Sequence, residues 1–382
     1  MSDISRLQLL TQQLHLEVAE DANCPQVARK KGDEVYVSQA VLPNGARISL
    51  LKTLLTSVCE RNCNYCPFRA GRDFRRATFR PDEFAKLFMY MHQTGKVEGI
   101  FLSSGIVGGG VHAQDRLLDT AAIMRHKYGY QGYLHLKIMP GADRDQLEQA
   151  MLLSDRISIN LEAPNPERLR LLAPKKIFYE ELLEPIRWAD EIRKNKSPHK
   201  AWKNKWPSTV TQFVVGGADE SDIELLYITE KLHRQMGLTR AYFSAFNPVP
   251  DTPLENKSPT PLIRQTRLYQ ASYLIRDYGY SMEELPFEST GHLPLEVDPK
   301  LALATKQYID HPIEINNASK ALLMHIPGIG PKGALAILKA RRDQKLRYLS
   351  NLTKLGIQAR KAAPFILLDG KRPSFQPTLI DF

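Results

Sequence analysis

From about Ile48 to about Gly279, short runs rich in Val, Ile, Leu and Phe alternate with stretches whose apolar positions recur every three or four residues. The first kind fits a strand buried on both faces and the second an amphipathic helix, so the region reads as repeated βα units. Strands are predicted over 48–57 (ISLLKTLLTS), 97–105 (VEGIFLSSG), 132–141 (GYLHLKIMPG), 155–164 (DRISINLEAP), 208–217 (STVTQFVVGG) and 240–249 (RAYFSAFNPV). Helices are predicted to begin near Pro81, Ala113, Asp143, Glu180, Glu220 and Thr266, and several open with Pro, Asp or Glu and close with Gly, as helix ends prefer. Right-handed crossovers would wind the six units into a parallel sheet with helices outside. A partial barrel and an open doubly wound sheet both satisfy the pattern, and in either the chemistry belongs at the C-terminal ends of the strands.

Residues before Ile48 read as one short helix followed by a polar arm that contains Cys24. After Gly279 the rhythm breaks, and a compact basic segment begins near Ile313. The expected organisation is an N-terminal helix and arm over 1–45, an α/β core over 46–280, a linker over 281–312, a small all-α domain over 313–370 and a tail over 371–382.

Composition changes this picture in two ways. With 43% hydrophobic residues in 382 the chain can bury a core, but no apolar run approaches the roughly 18 residues that span a bilayer, and the start of the chain is polar and amphipathic rather than signal-like. A cytoplasmic protein with no membrane partner is therefore expected, and in a reducing compartment clustered thiols are metal ligands or catalysts before they are disulfides. The excess of 52 Lys and Arg over 42 Asp and Glu, a net +10, favours polyanionic partners without identifying one.

Three of the four cysteines, Cys59, Cys63 and Cys66, fall on one short loop directly after the first predicted strand. A cubane of four irons needs four ligands and cysteine thiolate is the usual one, so three thiolates leave one iron open for substrate or cofactor. A zinc site would have to recruit a distant histidine, because none lies between His15 and His92. A thioredoxin-type reading of CNYCP leaves Cys59 without a role.

Alternation along RISINLEAP aims Ser158, Asn160 and Glu162 to one side of a strand, and His135 and Lys137 share a face of another, as a ligand-facing wall or a solvated edge would require. Two basic stretches carry two readings each. In RKNKSPHKAWKNKW, Trp202 and Trp206 are either platforms for unstacked bases or side chains folded inward. The arginines of RAGRDFRRATFR are either anion contacts at the mouth of the site or solvated surface.

Cys-x-x-x-Cys-x-x-Cys after the first of six βα repeats, with Tyr65 just before the third cysteine, resembles the radical S-adenosylmethionine superfamily. The resemblance implies a partial (β/α)6 barrel and two cofactors, a [4Fe-4S] cluster and S-adenosylmethionine. It further implies that the open iron chelates the amino and carboxylate groups of S-adenosylmethionine, whose cleavage releases a 5′-deoxyadenosyl radical, and that an external electron donor feeds the cluster. By the same resemblance Tyr65 lies beside the adenine. Ser103, Ser104 and Gly105 stand for the family's Gly-Gly-Glu-like turn that meets the methionine ammonium. Ser158, Asn160 and Glu162 face the cofactor's ribose and carboxylate, and Gly216 belongs to a glycine-rich turn near the adenine. Lys137 is a candidate catalytic residue, and Cys24 either donates hydrogen to a substrate radical or packs, the latter being favoured.

The segment LLMHIPGIGPKGALAILKARR closely resembles a helix-hairpin-helix motif, with Gly328 and Gly330 permitting the tight turn, Ile329 plugging it and Ala334 allowing close packing. The resemblance implies that hairpin amides meet a DNA phosphate at a helix N-terminus, a contact that carries no sequence information. Gly333 belongs to that approach, and Lys332, Lys339, Arg341 and Arg342 add charge. A degenerate second copy around Gly356 carries Arg360 and Lys361. The whole architecture is similar to the DNA modification or repair radical SAM proteins, which implies a substrate class but no reaction. Two alternatives stay open: a radical SAM enzyme acting on RNA, protein or a small molecule, and an iron-sulfur DNA-binding protein without turnover.

Overall fold

The computed structural model describes residues 2–11, Val35, 37–41 and 45–374. Cys24 lies outside the described residues. The chain divides into two compact units, Met1–Glu220 with Lys231–Pro261, and Ser221–Glu230 with Leu262–Phe382.

In the first unit, α1 (Asp3–Thr11) precedes a seven-stranded sheet of β1 (Val37–Val41), β2 (Arg47–Leu54), β3 (Gly99–Ser103), β4 (Tyr133–Lys137), β5 (Arg156–Ser158), β6 (Ser208–Val215) and β7 (Arg240–Ala245). The strands lie side by side in chain order. A doubly wound sheet reverses its order part-way. The unbroken sequence of parallel neighbours from β2 to β7 therefore makes this a curled half-barrel, as the resemblance implied. All six predicted strands are present.

The arm before Ile48 is corrected, because it supplies β1, which pairs antiparallel with β2 from Val37 opposite Leu51 to Val41 opposite Arg47. The fourth predicted strand is also shorter than expected. Glu162 adopts a left-handed φ of 65°, which breaks the ladder after Ser158. After Ile159 N donates to Val210 O (3.0 Å), the next backbone bonds to β6 come where Glu162 N donates to Gln212 O (2.9 Å) and Val214 N donates to Glu162 O (2.9 Å).

Helices α2 (Pro81–Gln93), α3 (Gly109–Ala122), α4 (Arg144–Leu153), α5 (Pro166–Leu172), α6 (Glu184–Asn195) and α7 (Asp222–Gln235) follow the parallel strands. Their starts obey capping chemistry. Asp143 Oδ1 accepts from Gln146 N (3.0 Å) while Gln146 Oε1 accepts from Asp143 N (3.1 Å), a reciprocal box that satisfies two end amides. Asn165 caps α5 in one direction, its Oδ1 accepting from Arg168 N (2.9 Å), with Pro166 in the first helical position. β3 is buried at all five residues, as a strand covered on both faces must be.

The second unit contains α8 (Leu262–Tyr273), α9 (Pro299–Tyr308), β8 (Ile313–Glu314), α10 (Lys320–His325), α11 (Pro331–Asp343), α12 (Leu349–Lys354), α13 (Ala359–Ala362) and β9 (Ile366–Leu367), the last pairing parallel with β8. Ile315, Leu323, Ile326, Ile337, Leu352 and Ile366 form its fully buried core. That core also takes Ala304 from α9, within the segment read as linker. No helix among the described residues is long and apolar enough to cross a membrane.

Candidate functional site

β2 delivers the chain to a loop that carries the three cysteines and returns through a bridge between Thr56 and Thr78. The loop has little regular structure of its own, so side chains hold its path. Arg76 donates to the carbonyls of Ser57 (2.6 Å), Phe68 (3.1 Å), Arg69 (2.8 Å) and Arg72 (3.3 Å). Glu60 accepts from Gly108 N and Gly109 N (3.1 and 3.2 Å) at the start of α3, where free amides and the helix dipole favour a carboxylate. On the opposite side Asn64 N donates to Leu172 O (2.7 Å), Asn64 Nδ2 to Leu171 O (2.9 Å), and Arg61 pairs with Glu181 (2.6 Å). The arginines after the cysteines thus serve the loop's own backbone. Arg69 and Arg72 also donate to carbonyls, whereas Arg75 and Arg80 of the same stretch are exposed.

The loop closes one wall of a cavity that receives Cys59, Cys63, Cys66 and Tyr65 together with Ser103, Ser104 and Gly105 from the end of β3, Lys137 from β4, and Asn160 and Glu162 from beyond β5. Gly105 is required there, because a Cβ would lie 2.1 Å from Val58 O. Burial pushes the Cys63 thiol up to about 11 and raises Cys66 further, even though Phe68 N donates to Cys66 Sγ at 3.4 Å. Thiols held neutral by burial ionise when a cation coordinates them. Burial also raises the Tyr65 phenol, with the Glu162 carboxylate adding to the effect.

Glu162 is buried, and its Oε1 takes Lys176 Nζ at 2.5 Å. Its Oε2 and the Ser158 hydroxyl are buried without a hydrogen-bond partner among the described residues. Buried polar atoms are seldom left so, and each exception calls for a reason. Burial alone would lower Lys176, but the negative charge around it, with the Glu162 carboxylate and its hydrogen bond, outweighs burial and raises it. Asn160 Nδ2 donates to Gln212 Oε1 (3.1 Å).

The structure thus brings together the three cysteines, Tyr65, the Ser-Ser-Gly turn, Lys137, Asn160 and Glu162. Ser158 and Gly216 are not among the cavity-lining residues; Gly216 N is bound by Glu220 at the end of β6. Lys176, Arg76 and Glu60 were not found from the sequence. Trp202 is folded inward, its ring 3.7 Å from the Arg125 guanidinium, which itself pairs with Asp155 at 3.0 Å. Trp206 Nε1 donates to Lys196 O (3.1 Å).

In the second unit, α10 and α11 flank the hairpin Ile326 to Gly330. Ile326 and Ile329 are buried, Gly328 has a φ of 81°, and a Cβ there would lie 2.6 Å from Gln358 O. Gly333 packs against Ile357. Lys332, Lys339 and Arg342 are exposed. Arg341 differs from the expectation, because its Nη1 donates inward to the carbonyls of Ile315 (3.0 Å) and Ala318 (2.7 Å).

Residues 53–232 match the radical SAM superfamily, and residues 310–356 match a helix-hairpin-helix motif. The chain carries a radical SAM domain. Among solved structures it is similar to the FeFe-hydrogenase maturase HydG from Carboxydothermus hydrogenoformans (15% identity, TM-score 0.46, covering 59% of this chain and 51% of that one). It is similar also to methylornithine synthase PylB (14% identity, TM-score 0.46, 59% and 62%) and to the radical S-adenosylmethionine methyltransferase TsrM from Kitasatospora setae (16% identity, TM-score 0.40, 63% and 42%). The chain therefore spans only about half of the maturase's length. No curated protein sequence matches it.

Enzymes of the radical SAM superfamily use a [4Fe-4S] cluster and S-adenosylmethionine, and the residues of this domain fit both. Among the described residues no three His, Cys, Asp or Glu side chains form a group for a single metal ion. A cubane makes no such demand, since each thiolate binds a different iron. Cys59, Cys63 and Cys66 would hold three irons, and the unpartnered Glu162 Oε2 supplies an acceptor for a polar cofactor in the same cavity.

Proposed function

We propose that this radical SAM enzyme acts on DNA, holding the duplex or strand by its backbone through the helix-hairpin-helix motif and modifying or repairing a nucleotide. When bound and reduced, the cluster would cleave S-adenosylmethionine to a 5′-deoxyadenosyl radical that abstracts hydrogen from an unreactive C-H bond. In this reading Cys59, Cys63 and Cys66 hold the cluster, the turn Ser103 to Gly105 and the residues Tyr65, Asn160 and Glu162 orient the cofactor, and Lys137 faces the substrate side of the cavity.

The observation that carries the choice of DNA is the hairpin. Its glycine-dependent turn opens α11, where unpaired backbone donors and the helix dipole favour a phosphate; Lys332 stands exposed in the first turn, and Lys339 and Arg342 stand exposed further along the helix. Arg341 is left out of this surface because it serves the fold.

The test reconstitutes the cluster anaerobically, reduces it and measures 5′-deoxyadenosine with and without single- and double-stranded DNA. Stimulation by DNA, together with salt-sensitive binding, is the expected result. Cofactor cleavage indifferent to DNA would favour RNA, protein or a small molecule as substrate. A cluster with DNA affinity but no 5′-deoxyadenosine would reduce the protein to a non-catalytic DNA-binding module.

A further inference from the structure

Lys176 lies in a run of sequence, PKKI, that reads as solvated surface. Its neighbours Lys175 and Ile177 are indeed exposed. Lys176 alone turns inward, lines the cysteine cavity and pairs with Glu162 at 2.5 Å, with 9% and 4% of the two side chains exposed. A buried ion pair is costly to desolvate and adds little to stability by itself, whereas stripping one member leaves an uncompensated charge. Its place in the lining of the cavity that Cys59, Cys63 and Cys66 share points to a role toward what the cysteines hold.

We propose that Lys176 is a positioning residue with two linked effects, keeping the Glu162 carboxylate fixed with Oε2 available to the cofactor, and supplying a buried positive charge that eases reduction of the cluster. This inference rests on the radical SAM reading of the same cavity. The step concerned is transfer of one electron from an external low-potential donor to the cluster, with no bond made or broken. The added negative charge arrives in a water-poor site, where a nearby cation counts for more than it would in solvent.

Three variants of the full chain test this: Lys176→Met, Lys176→Arg and the isosteric pair Lys176→Met with Glu162→Gln. Iron and sulfide content and circular dichroism establish that each is folded and loaded. The readouts are the cluster's midpoint potential, followed by electron paramagnetic resonance against titanium(III) citrate, and the equilibrium affinity for S-adenosylmethionine.

Lys176→Met should cut the reduced fraction at a fixed donor potential about tenfold, equivalent to roughly 59 mV for one electron, and should weaken cofactor binding. Lys176→Arg should restore both. The double variant removes both charges, so its potential should return toward the wild-type value while its cofactor affinity stays at least about tenfold weaker. Wild-type potential and affinity in a loaded Lys176→Met protein would overturn the proposal. If that variant does not fold, wild-type affinity in the double variant would overturn it equally. Failure of the wild-type protein to take up a cluster or bind S-adenosylmethionine would instead strike the underlying functional reading.

Discussion

The cysteine cavity and the hairpin solve opposite problems. Inside the cavity the protein leaves polar groups unfinished: Glu162 Oε2 has no partner among the described residues, and burial raises two thiols. Around the hairpin the backbone is bonded, with Ile329 N on Ile326 O (3.1 Å) and Ala334 N on Gly330 O (2.8 Å), and charges such as Lys332 and Lys339 point outward. A pocket for a reactive group is incomplete within, while a surface for a polyanion is complete within and incomplete toward solvent. Substitutions should therefore damage the two regions in different ways.

The largest contrast comes from Cys63→Ala, which should abolish cluster uptake and 5′-deoxyadenosine formation while DNA affinity stays at its wild-type value. Absorbance, iron content and a filter-binding assay would check this. Next comes Gly105→Ala, whose Cβ would lie 2.1 Å from Val58 O, a backbone atom that cannot swing aside. It should destabilise the fold by about 3 kcal/mol in denaturant unfolding.

The hairpin offers a paired comparison. Gly328 and Gly356 share a left-handed φ, 81° and 74°, but only Gly328 faces an obstruction, Gln358 O at 2.6 Å, while a Cβ at Gly356 meets open space. Gly356→Ala should cost about 1 kcal/mol and Gly328→Ala distinctly more, with DNA binding lost chiefly in the latter. Smaller still are the effects of the exposed cations. Replacing Lys332, Lys339 or Arg342 by Ala should each reduce the slope of log affinity against log salt by about 1. Arg341→Ala should leave that slope almost unchanged and lower the melting temperature instead, since its guanidinium bonds to Ile315 and Ala318.

The mildest effect concerns pH. Lys300 donates to Ile329 O (2.6 Å), and burial pushes it down to about 8. In the unfolded chain it keeps its proton to about 10.4, so between these values the unfolded state binds more protons and stability rises with pH. The stability difference between wild type and Lys300→Met should follow that rise, and a difference flat across this range would contradict the assigned burial.

Periodicity made the six parallel strands legible because each lies in a short run rich in aliphatic or aromatic residues, and the cysteines and hairpin were legible because their spacing is the signal. β1 was missed for the converse reason. VSQAV is five residues long, half polar, and owes its extended form to pairing with β2. α5 was overlooked because its seven residues follow directly on the predicted strand that Glu162 cuts short. Lys176, Glu60 and Arg76 carry no local pattern at all. Lys176 and Glu60 act on partners distant in sequence, Arg76 acts on main-chain carbonyls that carry no sequence signal, and a charge among other charges reads as solvated surface. Arg341 failed the other way, since its position in a basic run suggested an anion contact that the folded unit assigns to carbonyls.

Arg76 grips four carbonyl oxygens of the cysteine loop, and of the loop's side chains its guanidinium lies over the Phe74 ring at 4.2 Å. Apart from the Phe74 ring, such a clasp depends on the route of the main chain and not on which residues travel it. Evolution can therefore rewrite the loop's intervening side chains, and with them whatever they face, without re-inventing the support that presents the thiols.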